Sequence, residues 1–227
     1  MRLKLSGRLI DAPQENDWIP THSLFSMLLN RLGDSETKRA HDEAKTPCLF
    51  TFNMINIDRQ TNQFHFQFSS TDELGERLLK SFRSHNLFRV DKYIMEVSNI
   101  TKLPGLAIKE RYVFQGRVLA STTDRQALHT IEDIEACLLA NAKTKLKALG
   151  FDNPDLTITI LKHEKAITRY KKEKVSLKGD VIQKTVRIPS HFVTIEVSGN
   201  LFAIEALYNI GFGQNTGSGN GLMREVV

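Results

Sequence analysis

Twice along the chain the apolar pattern runs strand, helix, strand, strand, helix, strand, and few folds accept that order. In the first pass, Leu3 and Leu5 alternate within residues 1–10 and predict a strand. Asp11–Pro20 is polar and turn-like. Leu24, Phe25, Leu28, Leu29 and Leu32 then recur at helical spacing, and Gly33 stands where a helix stops. Residues 34–47 are polar and predict a loop or a short exposed helix. Phe50, Phe52 and Met54 alternate, a polar turn follows at Asp58–Asn62, and Phe64-His65-Phe66-Gln67-Phe68 alternates strictly, so a hairpin is expected. Thr71 or Asp72 caps a helix carrying Leu74, Leu78 and Phe82. One further strand is expected over about 88–101.

The second pass opens with a strand at about 110–120 (Tyr112, Phe114, Val118). A helix follows over about 130–149, with Ile131, Ile134, Leu138, Ala142 and Leu146 on one face. Two long strands, about 155–169 and 181–198, come next. Asn200 caps a helix bearing Leu201, Ile204 and Leu207, and a glycine-rich loop leads to a last strand at Leu222–Val226. Two β-α-β-β-α-β units in tandem predict an α+β chain of two ferredoxin-like domains. The link falls at Leu103–Lys109, where Pro104-Gly105 punctuates the sequence, so the expected domains are 1–103 and 110–227.

Composition narrows the function classes. Hydrophobic residues make up 41% and charged residues 25%, which supports a packed core and excludes a disordered chain. The sequence has no apolar run near the roughly 18 residues that a spanning helix needs. The start, MRLKLSGRLI, alternates where a secretory signal would offer an unbroken apolar core. Cys48 and Cys137 form no CxxC pair, which fits a reducing compartment, and a cytoplasmic protein is expected. There is no HxH, no HExxH and no carboxylate pair spaced as a metal clamp, so neither metal nor cofactor is expected.

Charge singles out one segment. The net charge is +5, yet Lys162–Arg187 alone holds nine Lys/Arg against three acids. A localised cationic stripe is the footprint of a polyanionic partner. The candidate backbone contacts are Lys162, Lys165, Arg169, Lys171, Lys172, Lys174, Lys178, Lys184 and Arg187, with Tyr170 placed to stack on a base. On paired strands only alternate residues share a face. His163 and His191 lie on these same strands, where they could contact RNA, and are expected on a solvated face; His65, between Phe64 and Phe66, is expected to be exposed.

Gly211, Gly213, Gly217, Gly219 and Gly221 supply five of the 13 glycines within eleven residues. Glycine permits positive φ and lets backbone N–H groups crowd around an anion. There is no GK[ST], and the loop follows a helix near the end of the sequence, unlike a dinucleotide-binding turn. Apolar residues on both sides (Ile210 and Phe212 before; Leu222, Met223 and Val226 after) argue for a packed loop.

The run Gly211-Phe212-Gly213-Gln214-Asn215-Thr216-Gly217-Ser218-Gly219-Asn220-Gly221, between a helix and a closing strand, resembles the C-terminal G-rich loop of the repeat-associated mysterious protein (RAMP) superfamily. Within it the chain is similar to the CRISPR-associated endoribonucleases that process precursor CRISPR RNA, whose two tandem ferredoxin-like domains match the element order over nearly the whole length. The resemblance implies cleavage of repeat RNA without a metal: the ribose 2′-OH attacks, leaving a 2′,3′-cyclic phosphate and a 5′-OH, while the protein orients the nucleophile, moves protons and stabilises the phosphorane. It implies His41 as the proton-transferring residue, in the polar stretch after the first helix, with Lys45 as the cation and Ser26 in the first helix as the third group. The tyrosine frequent in that helix is absent, with Ser26 or Phe25 in its region; Lys38 and Arg39 are alternatives to Lys45, and His22 is the alternative to His41. The implied partners are CRISPR repeat RNA and subunits of an effector complex, and a homodimer is among the implied assemblies. Two other classes stay open: a non-catalytic RNA-binding relative, and a small-molecule enzyme with a phosphate-binding loop.

Overall fold

The computed structural model describes residues 1–10, 19, 21–33, 47–122, 126, 128–175 and 181–226. Among them are two antiparallel sheets. The first contains β1 (Arg2–Leu9), β2 (Phe50–Phe52), β3 (Asn56–Asp58), β4 (Gln63–Ser70), β5 (Leu87–Val90) and β6 (Tyr93–Lys102). Its strand order is β2-β4-β1-β6-β5, with β3 also on β4. Helices α1 (Thr21–Leu32) and α2 (Asp72–Ser84) cover it. The second contains β7 (Arg111–Val118), β8 (Leu156–Val175), β9 (Val181–Gly199) and β10 (Met223–Glu225), in the order β10-β7-β9-β8, with α3 (Ile131–Ala148) and α4 (Leu201–Ile210) packed on it. In both sheets the first and third strands of a β-α-β-β-α-β unit are central, so the fold is two ferredoxin-like units in tandem.

Alternation decides which residues meet. Leu3, Leu5, Phe66 and Phe68 face Leu24, Leu28, Leu78 and Phe82 in the first core. Phe114, Val193, Ile195 and Val197 face Ile134, Leu138, Leu146 and Leu207 in the second. The expected caps form: Thr71 Oγ1 accepts from Leu74 N–H at 3.5 Å, and Asn200 Oδ1 from Ala203 N–H at 3.0 Å.

Local departures have local causes. The strand expected over 88–101 is a hairpin, because Asp91 turns the chain at φ 56° between β5 and β6. The Phe50–Met54 strand ends at Phe52: Asn53 Oδ1 takes the Gln67 N–H at 2.6 Å, and Met54 is exposed. Ile131, expected on the buried face of α3, is exposed in the first turn. β8 runs past its expected end at 169, to Val175.

The two halves are joined by more than the linker. Arg2 of β1 is buried, and its Nη2 donates to Met223 O of β10 at 2.6 Å. Its Nε donates to Ser69 Oγ at 3.2 Å, and its guanidinium lies 3.5 Å from the ring centroid of Tyr208 on α4. Burial lowers its pKa to about 10, which leaves it a cation at neutral pH. Hydrogen bonds to charged groups contribute about 1.5–3 kcal/mol net, and removing the cation also removes its desolvation cost. Arg2→Met is therefore expected to lower unfolding free energy by about 2 kcal/mol, measured by urea denaturation; an unchanged midpoint would show that this crossing does not stabilise the fold.

Candidate nucleic-acid interface

The glycine-rich loop begins where α4 ends. Gly211 N–H donates to Leu207 O at 2.8 Å and closes the helix. Phe212 N–H then donates to Gly221 O at 3.0 Å, so the loop is tied shut at its base, and Gly221 N–H donates to Arg117 O at 2.7 Å. Gln214 is fixed on both sides: its N–H donates to Leu119 O, and its side chain exchanges hydrogen bonds with the backbone and hydroxyl of Ser121. Thr216–Ser218 forms one 3-10 turn, which ends with Gly219 N–H on Thr216 O at 3.2 Å.

This closed loop is wedged against the first half of the chain. Thr51 Oγ1 donates to Asn220 O at 2.7 Å, and Thr216 Oγ1 to Cys48 O at 3.4 Å. Phe25 of α1 stacks on Phe50 and lies so near Gly217 that a Cβ there would sit 2.5 Å from the ring. Gly221 has φ +83°, and a Cβ there would meet Phe212 O at 2.3 Å. These glycines are demanded by close packing. The amides of Gly211, Gly219 and Gly221 are all used inside the protein.

Beneath the loop lies Lys145 of α3, 4% exposed. Its Nζ donates to Gly211 O at 2.8 Å and to Thr216 Oγ1 at 3.5 Å. Loss of hydration lowers its pKa to about 7, against a smaller opposing influence from Cys48. Burial pushes the Cys48 thiol up, and its Sγ donates to Phe50 O at 3.4 Å.

The predicted site residues distribute as follows. Ser26 is exposed on α1, beside Phe25. His22 lies in the first turn of the same helix. His41 and Lys45, with Lys38 and Arg39, lie outside the described residues; the described flanks are Gly33 at the end of α1 and Pro47-Cys48 beside the loop. Gly211, Gly213, Gly217, Gly219 and Gly221 all lie in the wedge. Lys162 and Lys165 are exposed on β8, Lys162 pairing with Glu164 at 3.1 Å. Arg169, Lys171, Lys172 and Lys174 continue along β8, and Lys184 and Arg187 lie on β9. The register sets Arg169 opposite Arg187 and Lys172 opposite Lys184. Lys178 lies outside the described residues.

His65 is exposed, as expected. His191 is not on a solvated face: it is 2% exposed and hydrogen-bonded to His163, because β9 carries it on the same face as buried Val193 and Ile195. Among the described residues no group of three or more His, Cys, Asp or Glu side chains could hold a metal ion. No helix among them is long and apolar enough to cross a membrane.

Sequence reasoning missed Arg2, Thr51 and Lys145. Lys145 left a signal, since it falls between Ala142 and Leu146 on the apolar face of α3. Arg2 left none, because its partners are 67 and 221 positions away.

No protein-family model matches the chain, and no curated protein matches it by sequence. Solved structures do match. A structure of CRISPR-associated protein Cas6 has a TM-score of 0.68 at 18% identity, covering 100% of this chain and 99% of that one. A RAMP protein binding different RNA substrates has a TM-score of 0.70 at 16% identity, with both chains covered completely. The product of a Cas6-related gene from Pyrococcus furiosus has a TM-score of 0.68 at 17% identity, covering 100% and 98%. The chain shares the fold of these Cas6 and RAMP proteins over its whole length.

Two expectations follow from the wedge. Gly221→Ala forces both a left-handed alanine and a backbone clash, each typically costing about 1–3 kcal/mol, so its melting temperature should fall by several degrees or more. Lys145 binds a proton more weakly folded than unfolded, so its contribution to stability improves as pH rises from about 7 towards 9, before unfolded-state thiols ionise. Wild-type unfolding free energy should therefore rise in that window by about 1 kcal/mol per pH unit more than that of Lys145→Met. Parallel curves for the two proteins would contradict the assignment.

Proposed function

We propose that the chain is a metal-independent endoribonuclease of the CRISPR-associated Cas6 type, cutting precursor CRISPR RNA within the repeat. The observation that carries this reading is the wedge. The closed glycine-rich loop packs on α1 and on the Cys48–Phe52 segment, and these bracket in sequence the stretch that holds His41 and Lys45. The whole-length fold likeness supports it. In this reading residues 1–103 form the domain that carries the chemistry. Residues 110–227 form the domain that grips RNA through the β8–β9 ribbon and the loop, whose glycines keep its surface closely seated.

The reaction asks little of the protein beyond position and protons. The 2′-OH is held in line with the scissile phosphorus, and effective molarities make such intramolecular attack fast. His41 moves the protons, since an imidazole titrates near the working pH. Lys45 stabilises the phosphorane, and Ser26 supplies the hydroxyl that stands where relatives often carry tyrosine. The protein works in the cytoplasm on repeat RNA, passes the cut RNA to effector subunits, and can do so as a homodimer.

The test uses 5′-labelled repeat RNA from the source organism in excess EDTA. One cut is expected, ending in a 2′,3′-cyclic phosphate. A 2′-deoxy nucleotide at the cut site should abolish it, and His41→Ala should slow it by at least about 100-fold. Undiminished cutting by His41→Ala would move the role to His22. Salt-sensitive binding without any cut, with a slope of about −0.7 per phosphate contact, would make the protein a non-catalytic RNA binder.

A further inference from the structure

β9 leaves its neighbour β7 at His191. That residue pairs with Val118, the last of β7, and from there β8 and β9 continue as a two-stranded ribbon. His191 Nε2 lies 3.2 Å from Ala120 O. A carbonyl only accepts, so Nε2 carries the proton and Nδ1 is left as an acceptor. His163 Nε2 lies 2.9 Å from that Nδ1 and must donate to it. The arrangement fixes both tautomers: Ala120 C=O, His191, His163, each donating inwards.

One nitrogen is then left over, Nδ1 of His163, for which no partner is described. A proton placed there turns His163 into a cation without breaking either hydrogen bond. A proton on His191 would instead remove the acceptor that holds His163. Geometry therefore gives the pair room for one extra proton, on the outer, half-buried ring. Burial lowers the pKa of His191, and His163, Lys165 and His129 act in the same direction. These are the titratable groups that act on it among the described residues: Lys165 stands opposite on β8, and His129 belongs to the segment before α3. All are cations or become cations on protonation, and the carboxylates beside β8 are engaged elsewhere, Glu164 with Lys162 and Glu135 with the Ile160 N–H, so a charged His163 calls for an anion from outside.

We propose that the His163–His191 pair, at the root of the ribbon, is a proton-coupled contact for an RNA phosphate, with His163 taking up one proton at Nδ1 as the phosphate binds and His191 serving as its fixed neutral acceptor. The proposal rests on the RNA-binding reading, and the ribbon's cationic residues make nucleic acid the fitting polyanion. His163 is here a binding residue outside the cleavage machinery.

The experiment measures affinity for a 2′-O-methylated RNA oligonucleotide of the repeat sequence, which cannot be cut, at pH 5.5 to 8 and constant ionic strength. Wild-type protein should gain up to about tenfold more affinity than His163→Gln on going from pH 8 to 5.5. Calorimetry in buffers of different ionisation heat should find up to about one more proton taken up by wild type than by His163→Gln near pH 6.5. His163 is partly exposed, so the variant is expected to fold. Salt-sensitive binding with the same pH slope and proton uptake in wild type and His163→Gln overturns the proposal alone. Failure of the wild type to bind RNA at any pH overturns the RNA-binding reading, and the proposal with it.

Discussion

Two buried basic side chains, Arg2 and Lys145, hold the end of the chain where the two sheets meet, and both bind backbone carbonyls. A buried charge without a carboxylate partner is costly unless its donors are well placed. Arg2 meets that demand by reaching from β1 to β10 and lying on Tyr208. Lys145 meets it by threading from α3 to the underside of the loop. Both contacts need the C-terminal segment to be seated, so the seating of the loop and the joining of the halves are one event. Thr51, Cys48 and Phe25 complete the same junction from the other side.

The glycines take on a second meaning in this setting. From composition they suggested a row of free amides for an anion. In place, Gly211, Gly219 and Gly221 spend their amides on Leu207, Thr216 and Arg117, and Gly217 makes room for a phenyl ring. The glycines let the loop lie close between two cores, which is why a methyl group at Gly221 reaches beyond its own site.

The β-α-β-β-α-β order was legible because period-2 and period-3.6 patterns are local: Phe64-His65-Phe66-Gln67-Phe68 and the Leu74/Leu78/Phe82 stripe needed no knowledge of partners. Caps at Thr71 and Asn200 were legible for the same reason. The break at Asn53 and the turn at Asp91 were not, since the first depends on one side chain accepting from the Gln67 N–H and the second on a non-glycine residue taking a positive φ. The candidate site was legible as residue types and poorly legible as contacts. Phe25 read as a helix-face residue, yet it is the plug against Gly217. His191 read as a strand residue on a solvated face, yet a carbonyl two residues beyond β7 buries its proton. Such facts belong to pairs far apart in sequence.

The ribbon beyond His191 has ten facing pairs, from Ala166 with Ser190 to Val175 with Val181, with no third strand beside it among the described residues. At about 3.3 Å per residue it extends roughly 30 Å from its root. Such an arm is tolerant of length in a quantised way. Adding or removing residues by twos on both strands keeps the alternation of faces, whereas a single-residue change on one strand shifts the register by one and reverses it. Reach can thus drift among related sequences without disturbing either core, and the root, where the histidines are locked to Ala120, is the fixed point from which that reach is measured.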